Sequence, residues 1–106
     1  MDAALRAISQ PRRRQILSLV RNGELSAGEI AGHFEVTRPA VSQHLTVLKR
    51  AGLVDERRDG TRRFYRARPE ALAELKQFLE GFWDEKLASL KHEAERKERR
   101  KRGSRD

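Results

Sequence analysis

The stretch TRPAVSQHLTVLKRA, residues 37–51, decides the fold, because it predicts a helix with a marked beginning and end. Thr37 can accept a backbone hydrogen bond as the N-cap, and Pro39 suits the first turn, where backbone amides lack helical partners anyway. Gly52 follows directly and can adopt the left-handed conformation that ends many helices. The apolar stripe of this helix comprises Val41, Leu45 and Leu48.

The other face of this helix carries hydrogen-bond donors and small polar groups, and it contains no Asp or Glu. Such a face suits the major groove of DNA, where these side chains reach base edges and phosphates. A solvated surface that happens to lack acids is the alternative interpretation. The residues of this helix predicted to bind DNA are Thr37, Arg38, Pro39, Ser42, Gln43, His44, Thr46 and Lys49, with His44 near the boundary of the face.

Composition points to the same class of partner. The 106 residues suffice for one domain, and the net charge of +8 favours a polyanion such as nucleic acid, with a membrane surface as the competing choice. The absence of cysteine excludes disulfides and thiolate metal sites. No apolar run approaches the length of a membrane span, and no signal peptide is recognisable, so we predict a cytoplasmic protein with no membrane partner.

Shorter helices are predicted before residue 37. A first helix contains Leu5 and Ile8, and a second begins at Pro11. Three arginines at 12–14 lie in the first turn of the second helix, where positive charge is unfavourable because of the helix dipole. We therefore expect an anionic group near them. The segment 26–29 (Ser-Ala-Gly-Glu) is a capping box that opens a third helix. About three residues then lead into the helix of 37–51. This pair of helices is the helix-turn-helix pattern.

A β-hairpin, or wing, is predicted at residues 53–66, because Asp59-Gly60 lies between two strand-like runs. A turn at these two residues places Arg58 opposite Thr61, Glu56 opposite Arg63 and Val54 opposite Tyr65. Each face of the hairpin has an apolar pair near its base, so the sequence leaves open which face is buried. The basic residues of the wing predicted to bind DNA are Arg57, Arg58, Arg62 and Arg63.

A long last helix begins near Pro69 and carries an apolar stripe with an eleven-residue repeat, which fits a nearly straight helix. This stripe is larger than the few remaining helices can cover, which favours a homodimer; burial of Trp83 within its own chain is the alternative. The predicted dimer residues are Leu5, Ile8, Leu72, Leu75, Leu79, Phe82, Trp83, Leu87 and Leu90. Residues 96–106 are almost all basic and are predicted to form a frayed or disordered tail, with a phosphate-seeking arm as the alternative.

Several segments together resemble the ArsR family of bacterial winged-helix repressors: residues 11–17, 25–31, 38–45, 51–54 and 60–65. The resemblance implies a homodimeric transcriptional regulator that holds operator DNA with its recognition helix and wing, and dimer contacts from the first and last helices. Metal-sensing members carry cysteines on the helix of 26–34, or Asp and His pairs on the last helix. This chain has neither pattern: it has no cysteine, and Asp84, His92 and Glu95 lack the required spacing.

The sequence therefore predicts a mainly α fold with a small β-hairpin, a winged helix-turn-helix with a long C-terminal dimerisation helix. Residues 1–95 form the DNA-binding and dimerisation domain, with recognition helix 38–51 and wing 53–66, and 96–106 form the basic tail. The predicted function is a homodimeric repressor of transcription that binds double-stranded DNA at a pseudo-palindromic operator. The alternatives are a sequence-indifferent architectural nucleic-acid-binding protein and a protein-interaction module that uses the last helix.

No enzymatic activity is predicted, because Ser42 and His44 are two residues apart on a helix and point in different directions. No cofactor and no metal site are predicted either, and the effector, if one exists, stays open.

Overall fold

The computed structural model describes the backbone of residues 1–103 and the side chains of residues 1–97. Five helices and three strands follow one another as α1 Asp2–Ile8, α2 Pro11–Val20, β1 Leu25–Ser26, α3 Ala27–Ala31, α4 Arg38–Arg50, β2 Val54–Asp59, β3 Arg62–Ala67 and α5 Pro69–Gly103. The mainly helical winged helix-turn-helix fold is confirmed. No helix in this part of the chain is long and apolar enough to cross a membrane.

The ends of α4 form as the sequence predicts. Thr37 Oγ1 accepts a hydrogen bond from the Ala40 amide at 3.3 Å, and a proline occupies the first turn. Gly52 has a φ of 77°, and its amide donates to the carbonyl of Lys49 while the Leu53 amide donates to the carbonyl of Leu48, both at 3.0 Å. This pair of bonds is a Schellman motif, which satisfies carbonyls that the helix end leaves free.

Helix α3 begins with the predicted capping box. Ser26 Oγ accepts from the Glu29 amide at 3.1 Å, and the Glu29 carboxylate accepts from the Ser26 amide at 3.2 Å. The helix ends at Ala31, so six residues, 32–37, connect it to α4 rather than the three expected. Helices α3 and α4 are the helix-turn-helix.

One core joins α1–α4, the sheet and the first residues of α5. Its buried apolar members are Ala7, Ile16, Leu17, Val20, Ile30, Val41, Leu45, Leu48, Leu53, Val54, Tyr65, Ala67 and Leu75. The three stripe residues of α4 are each fully buried, so this helix presents its opposite face to solvent.

The predicted hairpin register is wrong, because the turn lies one residue further along the chain than expected. The structure pairs Asp59 with Arg62 and Arg58 with Arg63, so the two turn residues are Gly60 and Thr61. A turn at Asp59-Gly60 needs positive φ at both positions, whereas among the described residues only glycines have positive φ. Gly60, at φ 62°, takes the first central position instead, as a type II′ turn requires.

The structure also identifies the buried face of the sheet. In the observed register Val54 pairs with Ala67 and Glu56 with Tyr65, and this face packs on the helices. Strand β1 adds a third, unpredicted strand to the hairpin, because Leu25 pairs with Tyr65 and gives the strand order β1-β3-β2. The wing is therefore attached to the helix-turn-helix through the residue that caps α3, Ser26.

Two of the three arginines at the start of α2 have their negative partner in the carboxyl end of α1. Arg13 Nε donates to the carbonyl of Ala7 at 2.6 Å, and Arg14 Nη1 donates to that of Ile8 at 2.7 Å. The last carbonyls of a helix carry the negative end of its dipole, so these bonds offset the unfavourable charge at the start of α2.

By its backbone contacts the chain divides after Leu75, in the second turn of α5. Leu75 differs from its prediction as a dimer residue, since it is only 6% exposed and packs in the chain's own core. Leu5, Ile8 and Leu72 pack partly against the same core. After this point the apolar side chains of α5 are exposed; they are Phe78, Leu79, Phe82, Trp83, Leu87 and Leu90.

Helix α5 also continues past the predicted domain boundary at residue 95, as far as Gly103. Residues 96–103 thus belong to α5, which the high helix propensity of Arg, Lys and Glu favours. Residues 104–106 lie outside the described part of the chain, as do the side chains from residue 98 onward. The division into a domain and a basic tail stays a prediction.

Candidate nucleic-acid interface

The solvent-facing side of α4 carries nearly all of the predicted helix residues. Thr37, Arg38, Pro39, Ser42, Gln43, Thr46 and Lys49 are exposed. None of the thirteen residues of α4 is acidic. Because the buried stripe fixes the rotation of the helix, these side chains are presented together, as a helix that enters a groove of DNA requires.

Val47 lies on the same exposed side and was missed by the sequence prediction, which took the donor-rich residues alone. Its side chain is 37% exposed, one helical turn after Gln43. An exposed apolar side chain on such a face can contact the methyl group of thymine, a contact that hydrogen-bond donors do not make.

A groove brings the start of α4 together with the tip of the wing. Arg38 and Ser42 line one wall, and Thr61, Arg62 and Arg63 line the other, with the start of α3 at its base. Gly28 lies beside the Arg38 guanidinium, and a Cβ there would lie 3.4 Å from Arg38 Nη2, an ordinary van der Waals distance. Three arginines and one carboxylate, Glu29, line this groove, so the charge of its lining is net positive.

Three of the four wing arginines are paired with carboxylates of the same chain: Arg57 with Glu24, Arg62 with Glu29, and Arg58 with Glu56. Arg57 donates to both carboxylate oxygens of Glu24, with Nε at 3.1 Å from Oε2, and Arg62 Nη2 lies 3.5 Å from Glu29 Oε1. Both guanidinium groups also lie over the ring of Phe64, at 4.6 and 4.8 Å from its centre. The hydrogen bond from Arg57 lowers the pKa of Glu24.

Glu56 joins the recognition helix to the wing, a role that the sequence did not indicate. Its carboxylate accepts from the Tyr65 hydroxyl at 2.8 Å and lies 3.4 Å from Lys49 Nζ and 3.3 Å from Arg58 Nε. The Glu56 side chain is only 9% exposed. The Tyr65 hydrogen bond, together with the Arg58 and Lys49 cations, lowers the pKa of Glu56 below its ordinary 4.5.

We expect Glu56→Gln to lower the free energy of unfolding by about 1–2 kcal/mol near neutral pH, because a buried carboxylate loses two charged partners. A carboxylate whose pKa falls on folding stabilises the fold above its unfolded pKa, and this contribution is lost as pH falls through the folded pKa. Urea unfolding of both proteins between pH 7 and pH 3 checks this. The difference should shrink below about pH 4; a constant difference contradicts the assignment.

His44 differs from its neighbours on α4 because it is half-buried and faces α2. Its Nδ1 lies 3.5 Å from Nη1 of Arg13. Burial lowers the pKa of His44, and the charges of Arg13 and Arg12 lower it further. One ring nitrogen is therefore engaged within the chain, and the contact to DNA predicted for this residue falls to the other.

The acidic residues and histidine of α5 that metal-sensing members would use, Asp84, His92 and Glu95, are all exposed. Within the described residues, no three His, Asp or Glu side chains come close enough together to hold a metal ion.

Comparison with known proteins places this chain in a family. Residues 10–56, from the start of α2 into β2, match the family model described as "Bacterial regulatory protein, arsR family". The HTH-type transcriptional regulator Rv2034 of Mycobacterium tuberculosis is 46% identical over 86 residues, which cover 81% of this chain and 80% of that protein. The transcriptional repressor SdpR of Bacillus subtilis is 42% identical over 65 residues, or 61% of this chain and 72% of that one.

A solved structure supports the same family. The homodimeric winged helix-turn-helix DNA-binding domain of Mb0332 from Mycobacterium bovis superposes with a TM-score of 0.65 at 36% identity, over 79% of this chain and 78% of that one. These relatives are regulators and not enzymes. The chain belongs to the ArsR family of DNA-binding, winged helix-turn-helix bacterial transcriptional regulators.

Proposed function

We propose that the protein is a cytoplasmic homodimeric repressor that binds a pseudo-palindromic operator in double-stranded DNA. Helix α4 enters the major groove, and the wing follows the backbone into the adjacent minor groove. The observation that carries this proposal is the exposed, acid-free side of α4, which shares one groove with the arginines at the tip of the wing.

The exposed side chains of α4 divide by chemistry. Gln43 is suited to a bidentate contact with adenine, Arg38 to guanine, and Val47 to a thymine methyl group. Ser42 lies beside them and can bond base edges or nearby phosphates. Thr46, Lys49 and the wing arginines are assigned to the sugar-phosphate backbone, which positions the protein without selecting sequence.

The exposed apolar face of α5, residues 78–90, supports dimerisation. Trp83 is 61% exposed and Leu90 59%, and several large apolar side chains exposed along one helix commonly mark an interaction surface. The similar domain from Mycobacterium bovis is homodimeric. A two-fold dimer sets its recognition helices in successive major grooves about 34 Å apart, which selects half-sites one helical turn apart.

Repression is the proposed outcome of binding, and the similar SdpR protein, a transcriptional repressor, supports it. A protein that covers a site of this kind within a promoter blocks access to it. A reporter gene placed behind the operator tests this part, since expression should rise when the protein is removed. A fall in expression would instead indicate an activator.

The decisive experiment is selection of preferred sequences from random duplex DNA, followed by footprinting on the genome. We expect a pseudo-palindromic site bound at least about 10³-fold more tightly than random duplex at the same salt concentration. Equal affinity for all sequences would overturn the proposal and favour the sequence-indifferent architectural protein, because phosphate contacts alone supply binding of that kind.

We expect Gln43→Ala to reduce discrimination between the selected operator and random DNA by about 1–3 kcal/mol, the usual value of one good base contact. Competition gel shifts at fixed salt measure it. Gln77→Ala is the matched control, because Gln77 is an exposed glutamine of α5 that is not among the residues proposed to contact DNA. Unchanged discrimination in the Gln43 variant would remove this residue from the base contacts.

A further inference from the structure

We infer that Arg13 fixes the tautomer of His44, and so makes this recognition-helix residue a neutral hydrogen-bond donor through Nε2 toward an acceptor atom on a base edge. Arg13 is thus a positioning residue for DNA reading, although it lies on α2. The inference rests on the proposed function for its DNA part, whereas the tautomer itself is a property of the free protein.

Arg13 is held in place by the end of α1. Its Nε donates to the Ala7 carbonyl at 2.6 Å, and its Nη2 donates to the Arg6 carbonyl at 3.2 Å. Ala7 is fully buried, so the main anchor of the guanidinium belongs to the core. A planar guanidinium fixed at two points has little freedom at the third, and Nη1 is directed at His44 Nδ1, 3.5 Å away.

The chemistry of the pair decides where the imidazole proton lies. A guanidinium can only donate, so Nδ1 of His44 is the acceptor and carries no hydrogen. In a neutral ring the proton is then on Nε2, which points away from Arg13. Protonating His44 would place a hydrogen on Nδ1 against a guanidinium and add a cation beside Arg12 and Arg13, so the ring is kept neutral.

The neutral state of His44, with its proton on Nε2, limits which atoms of a base the ring can bind. The residue lies on α4 between the exposed Gln43 and Val47 side chains and is itself half-buried, so part of the ring stays accessible. A neutral Nε2 donor fits the acceptors of the major groove, which are O6 and N7 of guanine, N7 of adenine and O4 of thymine. It does not fit the amino groups of cytosine and adenine. By fixing the tautomer, Arg13 therefore determines which base edges His44 can bind.

The neighbouring arginine provides a matched control. Arg14 also ties α2 to the end of α1, through the Ile8 carbonyl, and carries the same charge, but its bond leads to α1 and not to His44. Arg13→Met and Arg14→Met each remove one charge; the first also removes two hydrogen bonds to α1, and the second removes one. Only the first removes the donor to Nδ1. Circular dichroism and thermal unfolding establish that both variants fold.

The first test is nitrogen-15 NMR of the histidine rings in the free protein, with the His44 signals assigned by their loss in His44→Gln. We expect Nε2 protonated and Nδ1 unprotonated, with a pKa below 6.5. In Arg13→Met we expect a mixture of tautomers and a higher pKa, and in Arg14→Met no change. A protonated Nδ1 in the original protein, or an unchanged ring in Arg13→Met, would overturn the inference.

The second test is competition between the selected operator and random duplex. We expect Arg13→Met and His44→Ala each to lose roughly fivefold in operator preference, an effect the size of one hydrogen bond, and the double variant to lose no more than either. Arg14→Met should weaken binding to both DNAs equally. A loss shared equally by both DNAs in the Arg13 and His44 variants would assign His44 to phosphate and overturn the base contact.

The two tests also separate this inference from the proposed function. If the original protein shows no preferred sequence, the proposed function fails, whereas the NMR measurement still decides whether Arg13 sets the tautomer.

Discussion

Replacing Phe82 and Trp83 together with glutamate should produce monomers and weaken operator binding by about 100-fold or more. Both side chains are exposed, at 47% and 61%, in the centre of the apolar face of α5. Four carboxylates in the two copies of that face would have to be desolvated for the dimer to form. Each monomer would then bind one half-site without the gain from a linked second contact, which is commonly 10²–10⁴-fold.

Analytical ultracentrifugation measures the assembly, and gel shifts at fixed salt measure the affinity. Trp83 is the only tryptophan in the chain, so the emission of the original protein should also move to longer wavelength on dilution, as the dimer dissociates. The control is Gln77→Glu with Ala88→Glu, which adds the same number of carboxylates to the opposite side of α5. A double variant at 82 and 83 that remains dimeric would show that α5 is not the interface.

Leu45→Ala should lower the free energy of unfolding by about 2–5 kcal/mol, the usual cost of truncating a buried leucine. The side chain is fully buried on the inner side of α4, among core residues of α1–α4 and the sheet. Small domains are stable by only about 5–15 kcal/mol, so this one change should remove a large share of the free energy of unfolding. It should also make the position of α4 on the core less well defined.

Urea unfolding at one protein concentration measures this loss, because dimerisation would otherwise alter the apparent stability. Val47→Ala is the control, since it truncates a partly exposed side chain on the same helix and should cost well under the Leu45 change, roughly 0.5 kcal/mol. Similar losses in the two variants would mean that α4 is not packed through the stripe of Val41, Leu45 and Leu48.

The helix ends could be predicted from sequence because their causes are local. The Thr37 cap, the Ser26–Glu29 capping box and the left-handed Gly52 each depend on residues within three or four positions of one another. The rotation of α4 follows equally from its own apolar spacing. Recognition face, helix-turn-helix and wing therefore emerge from short-range rules, and the family resemblance agrees with them.

The hairpin register required more than local rules. Asp59-Gly60 and Gly60-Thr61 both offer a two-residue turn, and the choice depends on which pairs the rest of the sheet favours. The observed turn aligns Glu56 with Tyr65, so their side chains form a hydrogen bond, and it aligns Val54 with Ala67 in the core. Tertiary packing thus selected the register that the turn alone left undecided.

Contacts between distant residues were the hardest to foresee. Arg13 and His44 are 31 residues apart, and Glu24 and Arg57 are 33 apart, so no spacing rule connects them. The sequence indicated that the arginines at 12–14 needed a negative partner, and for Arg13 and Arg14 the structure supplies carbonyls rather than an acidic side chain. Val47 was missed because an apolar residue on a polar face looks like part of the core.

The position of Glu56 between α4 and the wing has a consequence for the length of the operator. The carboxylate lies 3.4 Å from Lys49 Nζ of the helix and 3.3 Å from Arg58 Nε of the wing, so it connects the two elements in the free protein. Each inserted base pair moves the next groove by about 3.4 Å along the duplex and turns it around the axis. In the proposed complex, a single base pair inserted between the segment bound by the helix and the segment bound by the wing would therefore put them out of phase, so affinity would depend on the spacing within each half-site.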